Sequence, residues 1–277
     1  LLTSISIVSA GYAFNKPQVR LTTTFADFNA RIMDQWGKGG GKFVKIWGTA
    51  RHPFQGRIFG GGKRKEIRGS RAFGSGYPYG VGDPSTVTGR PFPFGTWPLW
   101  WDQQYMGSDE YGPHLDAIRP GGFVVLVPLR RMTTTKAEYA SVMDDEVYYA
   151  TGDRDSVLPM MVSYVTGCHA VPAWPVKFDP RMSSSPGKLE NVIQYFRASS
   201  FALASPAYND PFARNAGTVS SPNSTSTPVS SNDEDNASGS PLPDIIERSP
   251  FRRCVDDATY HALAIVNKPP GQTALDR

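Results

Sequence analysis

The residues of this chain that could do chemistry are few and scattered. Its four histidines, His52, His114, His169 and His261, stand far apart, and no two fall at the spacing that puts paired imidazoles on one helix face. His114 and Asp116 lie two apart in a segment that reads as loop. The carboxylate groups Asp109-Glu110 and Asp144-Asp145-Glu146 are the only candidates for an acid and base pair, and adjacent acids in loops ordinarily serve solvation. There is no GxSxG elbow and no HExxH. Gly37-Lys38-Gly39-Gly40-Gly41-Lys42-Phe43 is one residue short of a phosphate loop and has Phe where magnesium binding needs Ser or Thr. Gly74-Ser75-Gly76-Tyr77-Pro78-Tyr79-Gly80 departs from GxGxxG, and Pro78 blocks the helix that motif must open. The sequence therefore designates no catalytic residue, no metal ligand and no cofactor.

The aromatic residues make a sharper candidate. Trp97, Trp100, Trp101 and Tyr105 sit close together and could present a stacking platform for sugars or lie at a lipid interface. The competing reading is that these rings are the core of their own segment. That segment, residues 56–121, is a Gly/Pro/aromatic cassette that includes Phe73-Gly74-Ser75-Gly76-Tyr77-Pro78 and Arg90-Pro91-Phe92-Pro93-Phe94-Gly95-Thr96-Trp97-Pro98-Leu99-Trp100-Trp101. Proline removes backbone donors and glycine permits positive φ, so extended pieces joined by turns are expected here, without a long helix or a central strand.

The charge is unevenly placed. Leu1 to Ala72 carries 13 Lys/Arg against 3 Asp/Glu, a net of +10 in a chain whose total is +4, which leaves the remainder near −6. A basic arm over residues 1–55, continuing into the cassette, favours an anionic partner: glycan, cell-wall polysaccharide, lipid headgroups or nucleic acid. The plainer reading is a solvated basic segment with no dedicated partner. No RGG repeat or RNP motif supports RNA recognition, although Arg and Lys alternate with Gly and Phe between Lys38 and Phe73. The run Leu1 to Ala13 is apolar and ends in small residues, like the tail of a signal peptide with cleavage near Ala10 or Ala13. It is too short to cross a bilayer, and no other stretch approaches 18 apolar residues, so no membrane-spanning helix is expected in the chain as given.

The elements that would hold these residues follow from periodicity. Phe25, Phe28, Ile32, Met33 and Trp36 share one helical face, and Phe43 to Trp47 suggests a short strand. Residues 122–208 read as a small α+β domain. Phe123 to Val127 is a buried strand ended by Pro128, and Glu146 to Ala150 is a second strand. Asp155 would cap a helix over Ser156 to Val165, with Pro159 in its first turn. Leu189 to Ala198 reads as another helix, with Leu189, Val192, Ile193 and Phe196 on one face, and Ser200 to Ser205 as a third strand. Residues 209–244 form a Ser/Thr/Pro/Asn-rich linker with the composition of disorder, bearing sequons at Asn223 and Asn236. Residues 245–277 add a final helix over Cys254 to Val266 and a tail, and Tyr260, Leu263 and Ile265 could return that helix to the domain. The expected fold class is thus α+β, a small mixed domain plus an irregular Gly/Pro/aromatic segment, with extensive coil and disorder. Cys168 and Cys254, the only cysteines, fit either two inert buried thiols or one disulfide, and the compartment decides between them.

A set of short motifs carries a family resemblance. They are Pro53-Phe54-Gln55-Gly56-Arg57, Gly60-Gly61-Gly62, Gly74-Ser75-Gly76-Tyr77-Pro78, Gly89-Arg90-Pro91-Phe92-Pro93-Phe94, Trp97-Pro98, Glu110-Tyr111-Gly112, Arg119-Pro120-Gly121-Gly122 and Gln194-Tyr195-Phe196-Arg197-Ala198-Ser199-Ser200. Together the chain resembles an uncharacterised family of basidiomycete fungal proteins, Gly-rich and secreted or membrane-associated, over roughly residues 53–208. The resemblance implies a signal peptide, a basic Gly/Ser-rich arm and a disulfide between Cys168 and Cys254. It supplies no catalytic residue. Some similar proteins end in an apolar anchoring tail, where this chain has the polar Lys268-Pro269-Pro270-Gly271-Gln272-Thr273. The expectation is a non-enzymatic secreted or cell-surface glycoprotein that adheres to an anionic or carbohydrate component of the wall or membrane surface. The alternatives are a polysaccharide-acting enzyme that uses the cassette rings and Asp109-Glu110, and a nucleic-acid binder that uses the basic arm.

Overall fold

The structure is a computed structural model, and it describes residues 44–45, 57–77, 91–101, 121–132, 146–182, 184–213 and 240–265. The fold is α+β. Two short strands, β1 (Val44–Lys45) and β2 (Ile58–Phe59), pair antiparallel. The main sheet contains β3 (Val124–Arg130), β4 (Val147–Asp153), β5 (Val176–Lys177), β6 (Val192–Phe196) and β7 (Phe201–Ala204). All neighbours are antiparallel, in the order β5-β3-β4-β7-β6. The helices are α1 (Arg154–Cys168), the short α2 (Asp244–Glu247) and α3 (Pro250–Ala262).

The sheet is buried on both faces. Val125, Val127 and Leu129 of β3, together with Phe201 and Leu203 of β7, join one core with Val157, Met160, Met161 and Tyr164 of α1 and Phe251, Val255 and Ala258 of α3. Val124 and Leu126, with Ala202 and Ala204, face a second core made with the cassette residues Phe73, Leu99, Trp100 and Trp101 and with Phe178 and Tyr195. The strand period of two deals alternate residues to the two layers. The described part of the cassette is thus the third layer of a helix–sheet–cassette sandwich. It also closes one sheet edge: Gly69 N donates to Tyr195 O at 2.9 Å, Tyr195 N to Ser70 O at 2.8 Å and Arg197 N to Ile67 O at 2.6 Å.

Burial on both faces explains where sequence periodicity misleads. Residues Leu189 to Ala198 are a 3₁₀ turn (Leu189–Asn191) followed by β6, where a helix was expected. All five β6 residues are buried, so the strand shows no polar alternation. A register shift between Val192 and Gln194 disturbs its period further. Strand β3 runs through Pro128, where an end was expected. The carbonyls of Val124 and Arg130 accept from Phe178 and Val171 on the side away from β4, and even-numbered residues of β3 share that direction. The missing N–H of Pro128 therefore points to that side, beyond the two residues that pair with β5. Helix α1 starts two residues earlier than expected, because Asp153, not Asp155, is its N-cap and accepts from Ser156 N at 3.0 Å. Pro159 consequently lies inside the helix, past the first turn. Helix α3 spans Pro250–Ala262, capped by Ser249, where Cys254 to Val266 was expected.

The α1 and α3 helices are joined by the Cys168–Cys254 disulfide, with Cα atoms 5.6 Å apart. Of the two readings of the cysteine pair, the bridge is the one present. Behind it, Tyr164 Oη and Thr259 Oγ1 share a buried hydrogen bond of 2.7 Å across the same helix pair. The expected helix over Phe25 to Trp36 and the segment Leu1 to Ala13 lie outside the described residues.

Candidate functional site

The densest polar cluster in the described structure is buried, and it forms where three segments meet. Strand β4 ends at Asp153, whose backbone is extended while its carboxylate caps α1. The carboxylate accepts from Ser156 N at 3.0 Å and from Ser156 Oγ at 2.8 and 2.9 Å. Arg197, in the turn between β6 and β7, pairs with Asp153 through Nη2. The same guanidinium donates from Nη1 to Ser156 Oγ at 2.7 Å and to Ala264 O at 2.9 Å, and from Nε to Ser200 Oγ at 2.9 Å. Both charged side chains are almost fully excluded from solvent. A buried ion pair of this kind persists only when its remaining donors and acceptors are met, and here they are met by a helix N-terminus, two hydroxyls and a carbonyl.

The turn that carries Arg197 is strained. Arg197, Ala198 and Ser199 have φ of 55°, 51° and 60°, three consecutive non-glycine residues in the left-handed region. Such a run costs roughly 1–2 kcal/mol per residue and persists where contacts over-determine it. The contacts are visible. Ser199 Oγ accepts from Gly74 N at 2.9 Å, and Ser199 O accepts from Leu99 N at 2.8 Å, so the turn clasps the cassette while Arg197 clasps the helix layer. Gly121 completes the cluster. Its φ is +82°, and a Cβ there would collide with the Asp153 carboxylate. Asp155 N donates to Gly121 O at 2.9 Å. Gly121 and the run Gln194 to Ser200 therefore contribute to one structural joint.

Chemically, this centre is occupied by its own bonds. Ser156 has a carboxylate beside it, but its hydroxyl proton and an acceptor lone pair are both engaged, and no imidazole among the described residues reaches it. The arrangement organises the fold and offers no nucleophile. Sequence reasoning passed over both Asp153 and Arg197. The available signal was an Arg inside the otherwise apolar and small run Tyr195 to Ala204, a residue type that is rarely buried without a partner.

The candidate aromatic platform is packed inward. Trp97 is fully buried, and Trp100 and Trp101 are nearly so. Trp101 stacks edge-on against Phe178 and Tyr195, with ring centroids 5.5 and 6.4 Å apart, and Trp97 lies 6.3 Å from Phe92. These rings present no open face for a sugar or a membrane. Tyr105 lies outside the described residues, as do Asp109-Glu110, Asp144-Asp145, His52, His114 and both sequon residues, Asn223 and Asn236. Glu146, the last member of its acidic run, accepts from Tyr148 Oη at 2.7 Å and from the capping Ser249 hydroxyl. Burial pushes the Tyr148 phenol up, and the Glu146 charge adds to that shift. His169 caps the C-terminus of α1 with φ of 55°, and His261 packs edge-on against Tyr260.

Among the described basic residues before Ala72, Lys45, Lys63, Lys65 and Arg68 are exposed. Arg68 is tied to Asp256 at 3.0 Å and to Asp257 at 3.3 Å. Arg64 points inward and donates to Tyr260 O at 3.1 Å. Burial, with the Arg197 charge, lowers its guanidinium to about 10. These described basic residues thus divide into exposed lysines and the arginines Arg64 and Arg68, which are engaged in structure. No group of three or more His, Cys, Asp or Glu among the described residues has metal-holding geometry, and no described helix is long and apolar enough to cross a membrane. No family model, curated protein or solved structure matches the chain, so the family resemblance rests on the motifs alone.

Proposed function

We propose that this protein is a non-enzymatic binding protein of the cell surface or extracellular space, of the fungal Gly-rich type its motifs resemble. The observation that carries the reading is the Cys168–Cys254 disulfide at the α1–α3 contact, because a structural bridge between buried helices belongs to an oxidising compartment. Two further points support it. The cassette rings and the Asp153–Arg197 centre are both consumed by packing, which leaves the basic arm and the surface to meet partners. The exposed lysines Lys45, Lys63 and Lys65 extend the basic character of the arm onto the folded part, suited to an anionic glycan or lipid headgroup.

Expression of the gene in its own cells tests this, followed by fractionation, glycosidase treatment and pull-down on wall polysaccharide. The expected product is surface-associated or secreted, shifts in mass on glycan removal, and binds acidic polysaccharide in a salt-sensitive way. A cytosolic product of unmodified mass refutes the reading. Hydrolysis of wall polysaccharide that is lost on Asp109→Asn and Glu110→Gln would favour the enzyme alternative. Steep salt-dependent RNA binding in a filter assay would favour the nucleic-acid alternative.

A further inference from the structure

We draw no further inference here: the strongest candidate, the strained turn Arg197-Ala198-Ser199 between β6 and β7 with its buried Ser199 hydroxyl, belongs to the structural joint already described, where its bonds to Gly74, Leu99 and Ala264 account for the strain and nothing among the described residues points to a ligand or a reaction.

Discussion

Replacing Arg197 with Met isolates the joint between the three layers. The substitution removes the guanidinium and keeps much of the side-chain volume. Asp153 is then left buried, with Ser156 N, Ser156 Oγ and the α1 N-terminus as its remaining partners. Breaking a buried pair by removing one member costs about 3–5 kcal/mol. The helix N-terminus offsets part of this, up to about 2 kcal/mol in buried geometry. The Ala264 carbonyl also loses its donor, which adds about 1 kcal/mol. The net expectation is a loss of about 3–4 kcal/mol, or a fall in Tm on the order of 6–16 °C at 2–4 °C per kcal/mol. Urea unfolding with the disulfide intact is the assay. Asp153→Asn provides the second arm, because Asn still caps a helix and only the charge pairing is lost. The double variant R197M/D153N should be more stable than the sum of the two losses predicts, with a coupling of about 2 kcal/mol or more. A loss below about 1 kcal/mol for R197M, or strict additivity, would refute the reasoning.

Trp101→Ala should cost about 3–5 kcal/mol and collapse near-UV circular dichroism, because the ring fills the core under β3; addition of oligosaccharide should leave the wild-type tryptophan emission unchanged. Gly121→Ala combines a positive φ with a collision on Asp153, so a loss of at least about 2 kcal/mol is expected in urea melts, and an unchanged midpoint would remove the close-packing argument. Burial raises the Asp256 carboxyl above its ordinary 3.8, with Arg68 and Arg252 opposing the shift. The folded state therefore holds this proton more tightly than the unfolded chain. That contribution is complete below pH 3.8 and is lost as pH rises through the folded value. Asp256→Asn should accordingly flatten the fall of stability with rising pH in the acid range, and a parallel profile for wild type and variant would count against the assignment.

How legible this was in the sequence depended on solvent contact. Strand β3 and helix α1 were visible because each is a strong apolar run beside a capping or breaking residue. Strand β6 was misread because a strand buried on both faces has no polar side to reveal a period of two. The cassette was recognised as turn-rich, but its role as the third layer was not, since Leu99, Trp100 and Trp101 pack on residues distant in sequence. The Asp153–Arg197 pair joins residues 44 apart, and neither belongs to a motif of known chemistry.

We propose a disulfide-bridged protein that works outside the reducing interior of the cell. Protein isolated from its own cells, alkylated before lysis and digested without reductant, tests it most directly by mass spectrometry. The account predicts a cross-linked peptide pair containing Cys168 and Cys254, with both thiols refractory to alkylation. Recovery of the two cysteines in alkylated form, in a chain that remains folded, would contradict it.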